Sequence, residues 1–308
     1  MSLLRVVIAL GGNAILRKGE SGRPEEQWRN IRRTASLIAS TFPNDEVIIT
    51  HGNGPQVGYL LEIMNLAKGY PAQSMDLANA MTQGWLGFML QVAVEDAFKG
   101  TRRAVTLITR TLVSPQDPSF KNPTKYVGGY FSKEEASKLS AEFGWVFKED
   151  PRGGYRRVVP SPEPMDILES DVIDGLVKSG VIVISTGGGG IPVIKTSEGL
   201  RPVEAVVDKD LASSLLAVKL KADLFIILTD VKGVAINFGK PGELWLREVR
   251  ADELESYYRR GEFPPGSMGP KVLAAIKYVS ATRRTAIIGS LDELPEMLRG
   301  ASGTAVKP

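Results

Sequence analysis

Four short runs of β-branched and aliphatic residues each break off into a turn rich in glycine. The runs are Arg5-Val6-Val7-Ile8-Ala9-Leu10, Glu46-Val47-Ile48-Ile49-Thr50, Val181-Ile182-Val183-Ile184-Ser185 and Leu224-Phe225-Ile226-Ile227-Leu228-Thr229. They lead into Gly11-Gly12-Asn13, His51-Gly52-Asn53-Gly54-Pro55-Gln56, Thr186-Gly187-Gly188-Gly189-Gly190 and Asp230-Val231-Lys232-Gly233. A run that is apolar throughout, rather than at alternate positions, is a strand covered on both faces, as parallel sheets require. Helical spacing lies between the runs: Trp28, Ile31, Ala35 and Ile38 mark one side of Glu25 to Ser40. This alternation predicts an α/β fold, a three-layer αβα sandwich with an open, mainly parallel, doubly wound sheet. Ligands of such sheets sit beyond the carboxyl ends of the strands, where the glycines fall. Val105 to Thr109 and Thr285 to Ile288 read as further strands. Met75 to Phe98 is apolar on most sides, which places a helix in the core first and in a subunit interface second.

Residues 113 to 165 break the pattern. Pro115, Pro118, Pro123, Pro151, Pro160, Pro162 and Pro164 fall here, with Gly128, Gly129, Gly153 and Gly154. Gly144-Trp145-Val146-Phe147 and Arg156-Arg157-Val158-Val159 read as a hairpin. The segment is expected to protrude from the sheet as a small lid, the alternative being an ordinary surface excursion. A chain of 308 residues is long enough for two lobes.

Composition removes several chemistries. There is no cysteine, hence no disulfide, no thiolate nucleophile and no Cys-based zinc site. The one histidine, His51, excludes a zinc site built on several histidines, and any Ser–His mechanism would have to run through it. A net charge of +3 without a strongly basic block does not indicate nucleic acid. No apolar run approaches the roughly 18–20 residues of a membrane span, and Val6 to Leu10 is too short for a signal-peptide core of about 7–15 residues. A cytoplasmic protein without membrane or nucleic-acid partners is expected.

The glycines are not a known phosphate loop on their own. Gly187 to Gly190 run into Ile191-Pro192, without the Gly-Lys-Ser/Thr ending of a P-loop. Gly52-Asn53-Gly54-Pro55-Gln56-Val57-Gly58 has its last glycine one residue late for a dinucleotide fingerprint, and Pro55 has no N–H to give. Positive charge must then come from elsewhere. Lys209 precedes the helical pattern Leu211 to Lys221, and Lys271 that of Val272 to Val279. A cation at a helix N-terminus is disfavoured by about 0.3–1 kcal/mol, and a bound anion reverses that sign. Taken singly, each lysine reads equally as a solvated cation paired with Asp208 or Asp210. Asp208 is an N-cap, a partner that orients lysines, or both. Asp230 is a turn residue before Gly233 or a group beside a nucleotide. Lys125, in Asn122-Pro123-Thr124-Lys125, is a third candidate.

Together these segments resemble the carbamate kinases of the amino acid kinase family over nearly the whole chain. The resemblance is carried by Ala9-Leu10-Gly11-Gly12-Asn13-Ala14, Thr50 to Gly58, Asn122 to Lys125, Arg157 to Pro162, Gly187 to Pro192, Glu204 to Asp210, Thr229-Asp230-Val231 and Ser267-Met268-Gly269-Pro270-Lys271. Relatives such as acetylglutamate kinase have lysine where this chain has Ala9, a departure that fits carbamate kinases, with Lys125 taking over the charge. The resemblance implies the amino acid kinase fold, with 1–200 binding the acceptor and 201–308 the nucleotide. It implies reversible phosphoryl transfer from ATP, with Mg²⁺, to carbamate, giving ADP and carbamoyl phosphate. It further implies a homodimer and a link to arginine degradation. The expected catalytic residues are Lys125, Lys209, Lys271 and Asp208. Gly11, Gly12, Asn13, Gly52, Asn53, Gly54, Gly187, Gly188 and Gly189 are expected at the acceptor and the moving phosphoryl group. Thr229, Asp230, Val231, Met268, Gly269 and Pro270 are expected at the nucleotide. No protein ligand set for a metal is evident. Arg156 and Arg157 are candidates for closing the lid, and His51 reads as structural before catalytic. The rival readings are a sister kinase acting on acetylglutamate, uridylate or isopentenyl phosphate, a nucleotide sensor without turnover, and a dehydrogenase.

Overall fold

Side chains along the first strand, Arg5–Leu10, alternate between two layers. Val7 and Ala9 join one hydrophobic cluster and Val6, Ile8 and Leu10 the other, and all five are fully buried. Ile182 to Ile184 and Phe225 to Leu228 divide in the same way. Burying one such aliphatic side chain contributes roughly 1.5–3 kcal/mol, so the middles of these strands are apolar on both faces, and the buried polar residues Thr50, His51, Ser185 and Thr229 come only at their carboxyl ends.

The computed structural model describes residues 3–17, 19–66, 74–150 and 153–308. The chain opens with β1 (Arg5–Leu10), α1 (Pro24–Thr41), β2 (Glu46–His51), α2 (Gly54–Leu66), α3 (Met75–Ala97), β3 (Ala104–Thr106) and β4 (Arg110–Val113). There follow β5 (Lys125–Phe131), α4 (Lys133–Phe143), β6 (Val146–Glu149), β7 (Tyr155–Val159) and β8 (Pro164–Ile167). Next come α5 (Ser170–Lys178), β9 (Ile182–Ser185), β10 (Ile191–Thr196), β11 (Gly199–Pro202), α6 (Lys209–Lys219), β12 (Leu224–Thr229) and β13 (Val234–Ile236). The chain ends with β14 (Leu244–Leu246), β15 (Glu248–Arg250), α7 (Ala251–Arg259), α8 (Met268–Thr282), β16 (Ala286–Ser290), α9 (Leu294–Leu298) and β17 (Thr304–Lys307).

The middle layer is an eight-stranded sheet in the order β15-β17-β16-β12-β1-β2-β9-β3. Its neighbours run parallel except β16 with β17. Residues of α1, α3 and α9 cover one face and residues of α5 to α8 the other. From β1 the chain steps to β2 on one side and later to β12 on the other. That reversal opens a crevice at the carboxyl ends.

The strand expected over Val105 to Thr109 is two pieces. The chain leaves the main sheet after Thr106 and enters a four-stranded sheet, β11-β10-β4-β8, at Arg110. Continuation is blocked because the Gln83 side chain takes both the N–H and the carbonyl of Thr109.

The excursion leaves from β4 and returns on β8, which pair antiparallel, Thr111 opposite Ile167. It carries its own three-stranded sheet, β5-β7-β6, and α4. The expected hairpin is the β6–β7 pair, Val146 opposite Val158. A capping box of Ser132 and Glu135 starts α4, and Gly144 ends it at φ 68°, a conformation that glycine adopts freely. Val127 and Val159 pack with Val57, Leu61 and Met75 of the main body. Arg156 braces the subdomain from within, bonding Gly128 O and lying over Tyr126 and Tyr130. Arg157 lies over Trp145 at 4.0 Å and reaches Glu204 of the body at 2.7 Å.

Candidate active site

Two helices start at the carboxyl edge of the sheet, and each brings a lysine. Asp208 caps α6, its Oδ1 accepting the Asp210 N–H at 2.9 Å and so satisfying one donor that a helix start leaves open. Its Oδ2 accepts from Lys125 Nζ at 3.0 Å. Cap and lysine partner were alternatives in the sequence; both hold, because a carboxylate has two oxygens to share. Asp210 divides itself likewise. Its Oδ1 accepts from Lys209 Nζ at 2.5 Å and its Oδ2 from Lys271 Nζ at 3.1 Å. In sequence alone Asp210 is no more than a possible pair for a solvated lysine. Packing of α6 on α8 makes it the hub of two lysines.

Burial sets the electrostatics of this cluster. It pushes the Lys209 ammonium below its ordinary range; Asp210 opposes the push and Lys271 adds to it. Burial also pulls on Lys271, but there Asp210 outweighs it, helped by Asp208 and Asp230, and the pKa is raised. The same carboxylate raises both lysines, yet their net shifts are opposite, because desolvation together with the Lys271 charge outweighs Asp210 at Lys209, while Asp210, Asp208 and Asp230 outweigh desolvation at Lys271. Burial would raise Asp210, but the two lysines overcome it and hold it below the usual carboxylate range. Three ammonium groups are gathered around Asp208 and Asp210, a concentration of cationic donors that an anion can meet.

The glycine turns differ in what they leave open. The Gly11 N–H donates to Leu228 O at 3.0 Å, and a Cβ there would stand 2.7 Å from that oxygen. Gly12 and Gly54 face open space, and the Lys209 stem lies 3.6 Å from where a Gly52 Cβ would be. At Gly187 to Gly190 the protein itself fills the space. A Cβ would meet His51 Nε2 at 2.6 Å, Asn53 Nδ2 at 2.2 Å, Val207 O at 2.2 Å and Thr111 Oγ1 at 2.1 Å in turn. Glycine is demanded there by internal packing, not only by an approaching ligand. Thr186, just before them, holds φ 53° and ψ 32°, a left-handed conformation costing an L-residue about 1–2 kcal/mol. Its N–H is held by Thr109 Oγ1 at 3.0 Å.

Asn53 is among the residues expected at the acceptor. Its Nδ2 instead donates to Asn79 Oδ1 and Thr82 Oγ1, both at 2.8 Å. Asn79 Nδ2 is buried without a partner among the described residues, at a cost of about 1–3 kcal/mol. These polar residues of α3 escaped the sequence reading. An Asn, a Thr and a Gln at positions 79, 82 and 83, inside an otherwise apolar helix, were the available signal.

His51 is buried, with Nδ1 3.0 Å from Gly52 O, so Nδ1 carries the proton. Burial pushes its pKa down to about 4, and the Lys209 charge adds to that. The neutral ring is a weak base and a structural one. Stability follows from the sign: the unfolded chain takes up this proton near pH 6.5 and the folded chain only near 4. Stability therefore falls as pH drops through that window, by roughly 3 kcal/mol in all. In His51→Gln the urea midpoint is expected to change less between pH 6.5 and 4 than in the parent; equal slopes would assign that loss to other groups.

Beside the lysines lies a cavity of about 300 Å³ lined by Thr229, Asp230, Val231, Phe238, Trp245, Phe263, Met268 and Lys271, among others. Thr229, Asp230, Val231 and Met268, which the sequence groups at the nucleotide, all line this one cavity. Gly269 does not line it: it packs on Pro264 O, 2.9 Å from where a Cβ would lie, and Pro270 is not in the lining either. Phe238 and Trp245, edge to face at 5.9 Å, were missed, since a lone aromatic in a loop carries no pattern. The cavity is mainly apolar with the Lys271 ammonium at its side, as a base with phosphates attached would need.

The family profile described as Amino acid kinase family matches residues 4–290. The chain belongs to the amino acid kinase family. It is therefore a kinase, a phosphotransferase. Carbamate kinase from Thermococcus kodakarensis is 53% identical over 98% of each chain, and carbamate kinase from Clostridium perfringens 43% identical over 98% of this chain and 99% of that one. The solved carbamate kinase of Giardia lamblia bound to AMP-PNP superposes with a TM-score of 0.93, at 41% identity and 99% coverage of both chains. Such likeness places this chain with the carbamate kinases of the family. Among the described residues no helix is long and apolar enough to cross a membrane.

Proposed function

We propose that this kinase transfers the γ-phosphoryl group of ATP to carbamate, reversibly, giving carbamoyl phosphate and ADP. The observation that carries the reading is the Lys209–Asp210–Lys271 bridge with its neighbour Lys125–Asp208. It reaches from the Gly52 turn, through Lys209, to the apolar cavity, through Lys271. The carbamate oxygen, already anionic, attacks the γ-phosphorus. The bond to the bridging oxygen breaks, and ADP leaves with its electron pair. Such a nucleophile needs no general base, consistent with a site whose histidine is buried and neutral. Phosphoryl transfer asks instead for alignment and charge. Lys125, Lys209 and Lys271 neutralise the phosphoryl oxygens, and Asp208 and Asp210 keep them charged and aimed. Backbone N–H groups of Gly12, Asn13, Asn53, Gly54, Gly187 and Gly188 receive the acceptor and the moving group, while those of Gly11, Gly52 and Gly189 are bonded to Leu228 O, Leu10 O and Thr186 O and shape the turns. Thr229, Asp230, Val231 and Met268 hold the nucleotide.

Mg²⁺ accompanies the nucleotide in this reading and shields its phosphates. No cluster of three or more carboxylate or histidine ligands occurs among the described residues. The ion would take its oxygens from phosphates and water, with Asp230, in the cavity wall, as the carboxylate at hand. A cytoplasmic place in arginine degradation fits this reaction.

A homodimer is part of the same proposal. Leu77, Met81 and Phe88, spaced along one side of α3, are 44%, 48% and 59% exposed, and Tyr59 and Ile63 of α2 are exposed too. Such apolar exposure marks a contact surface. Phe88→Asp is expected to sediment at half the parent's mass; an unchanged mass rejects this face.

The test is ATP formation from ADP and carbamoyl phosphate by the pure protein. If it is absent while acetylglutamate, uridylate or isopentenyl phosphate is phosphorylated, the chain is a sister kinase. Tight ATP binding without turnover on any acceptor makes it a sensor.

A further inference from the structure

We propose that Thr82 and Gln83 of α3 are positioning residues that set the turns after β2 and β9 for phosphoryl transfer. The inference rests on the reading that those turns meet the acceptor. Asn79, Thr82 and Gln83 are at most 1% exposed, and at spacings of three and four they share one side of the helix. A core helix gains nothing from polar residues there unless their bonds are spent on something.

Thr82 Oγ1 donates its one hydrogen to Asn79 O at 2.8 Å. Toward Asn53 it therefore only accepts, which fixes the Asn53 amide with Nδ2 facing α3. The second Nδ2 hydrogen goes to Asn79 Oδ1. The Cα of Gly188 rests on this fixed amide, a Cβ there lying 2.2 Å from Nδ2. One hydroxyl thus locks the β2 turn against the β9 turn.

Gln83 works one step further along. Its Nε2 donates to Gly187 O at 3.0 Å and to Thr109 O at 3.1 Å, while Oε1 accepts the Thr109 N–H at 2.8 Å. Thr109 in turn accepts the N–H of left-handed Thr186. Removing the Gln83 amide leaves Gly187 O held only by the Gly190 N–H and takes away the anchor of Thr109, which supports the strained residue before the turn. None of these side chains lines the nucleotide cavity, so nucleotide affinity should not feel them.

The experiment compares Gln83→Met, Thr82→Val and Thr82→Ser with the parent, in the full chain. It records kcat and KM in the ADP and carbamoyl phosphate assay, ADP affinity by calorimetry, and the melting temperature. We expect kcat to fall by about 10–10²-fold in Gln83→Met and Thr82→Val, the scale for a misplaced reacting group, with ADP affinity unchanged. Thr82→Ser, which keeps the hydroxyl, is expected to recover most of the loss. Parent-like kcat in both Gln83→Met and Thr82→Val overturns the proposal. So does a fall in ADP affinity matching the fall in kcat, or a Thr82→Ser enzyme no better than Thr82→Val. If Gln83→Met does not fold, the Thr82 pair decides. A parent protein that makes no ATP from carbamoyl phosphate refutes the underlying reading instead.

Discussion

Lys271→Ala and Lys209→Ala are each expected to lower kcat by about 10²-fold or more, the scale for losing a charge contact made in the transition state. Both ammonium groups are held on one buried carboxylate, so their positions exist before substrate arrives and need no reorganisation. The two losses should differ in kind. Lys271 lines the nucleotide cavity, so its removal also raises the KM for ADP. Lys209 lies against the acceptor turn at Gly52, so its loss falls on kcat with the nucleotide KM little changed. Lys209→Met, which keeps the apolar stem, separates charge from packing. Steady-state kinetics with a circular dichroism check decides the matter. A parent-like rate in either variant removes that lysine from the mechanism.

Asp210→Ala is the more damaging change to the protein as a whole. It leaves two largely buried ammonium groups facing each other, with only Asp208 and Asp230 acting on Lys271 from further off. Removing one partner of a buried pair typically costs about 3–5 kcal/mol. Asp210 raises the pKa of both lysines, so its loss drops them. The alkaline limb of the rate profile should move to lower pH together with a fall in melting temperature. A variant that melts with the parent and keeps its alkaline limb would show that the lysines do not depend on Asp210.

Legibility followed range. The central strands could be read from residues in sequence because both faces of each are covered, which leaves a continuous apolar signature. The α6 start was legible two residues late, since the cap, Asp208, sits inside the Asp208-Lys209-Asp210 run and looks like part of a charge cluster. Lys209 and Lys271 stood out because a cation at a helix start is unusual. Which carboxylate each would choose was not legible. Asp208 and Asp210 are two residues apart, and only the meeting of α6 and α8 sends Lys271 to Asp210. The glycine run shows the same limit. Its position at a strand end was evident, but not that His51, Asn53, Val207 and Thr111 would crowd its four Cα atoms.

By itself, then, the order of residues determined the layered parallel sheet, the glycine turns along its carboxyl edge and the lysines at two helix starts, because strand burial, helix starts and glycine backbone freedom are local properties. Tertiary structure alone decided that Asp210 is shared, that Phe238 and Trp245 close the cavity, and that a polar strip on α3 holds the turns. Those facts depend on which distant segments meet, and a hydrogen bond spanning 61 residues, as from Lys271 to Asp210, leaves no periodicity in the chain.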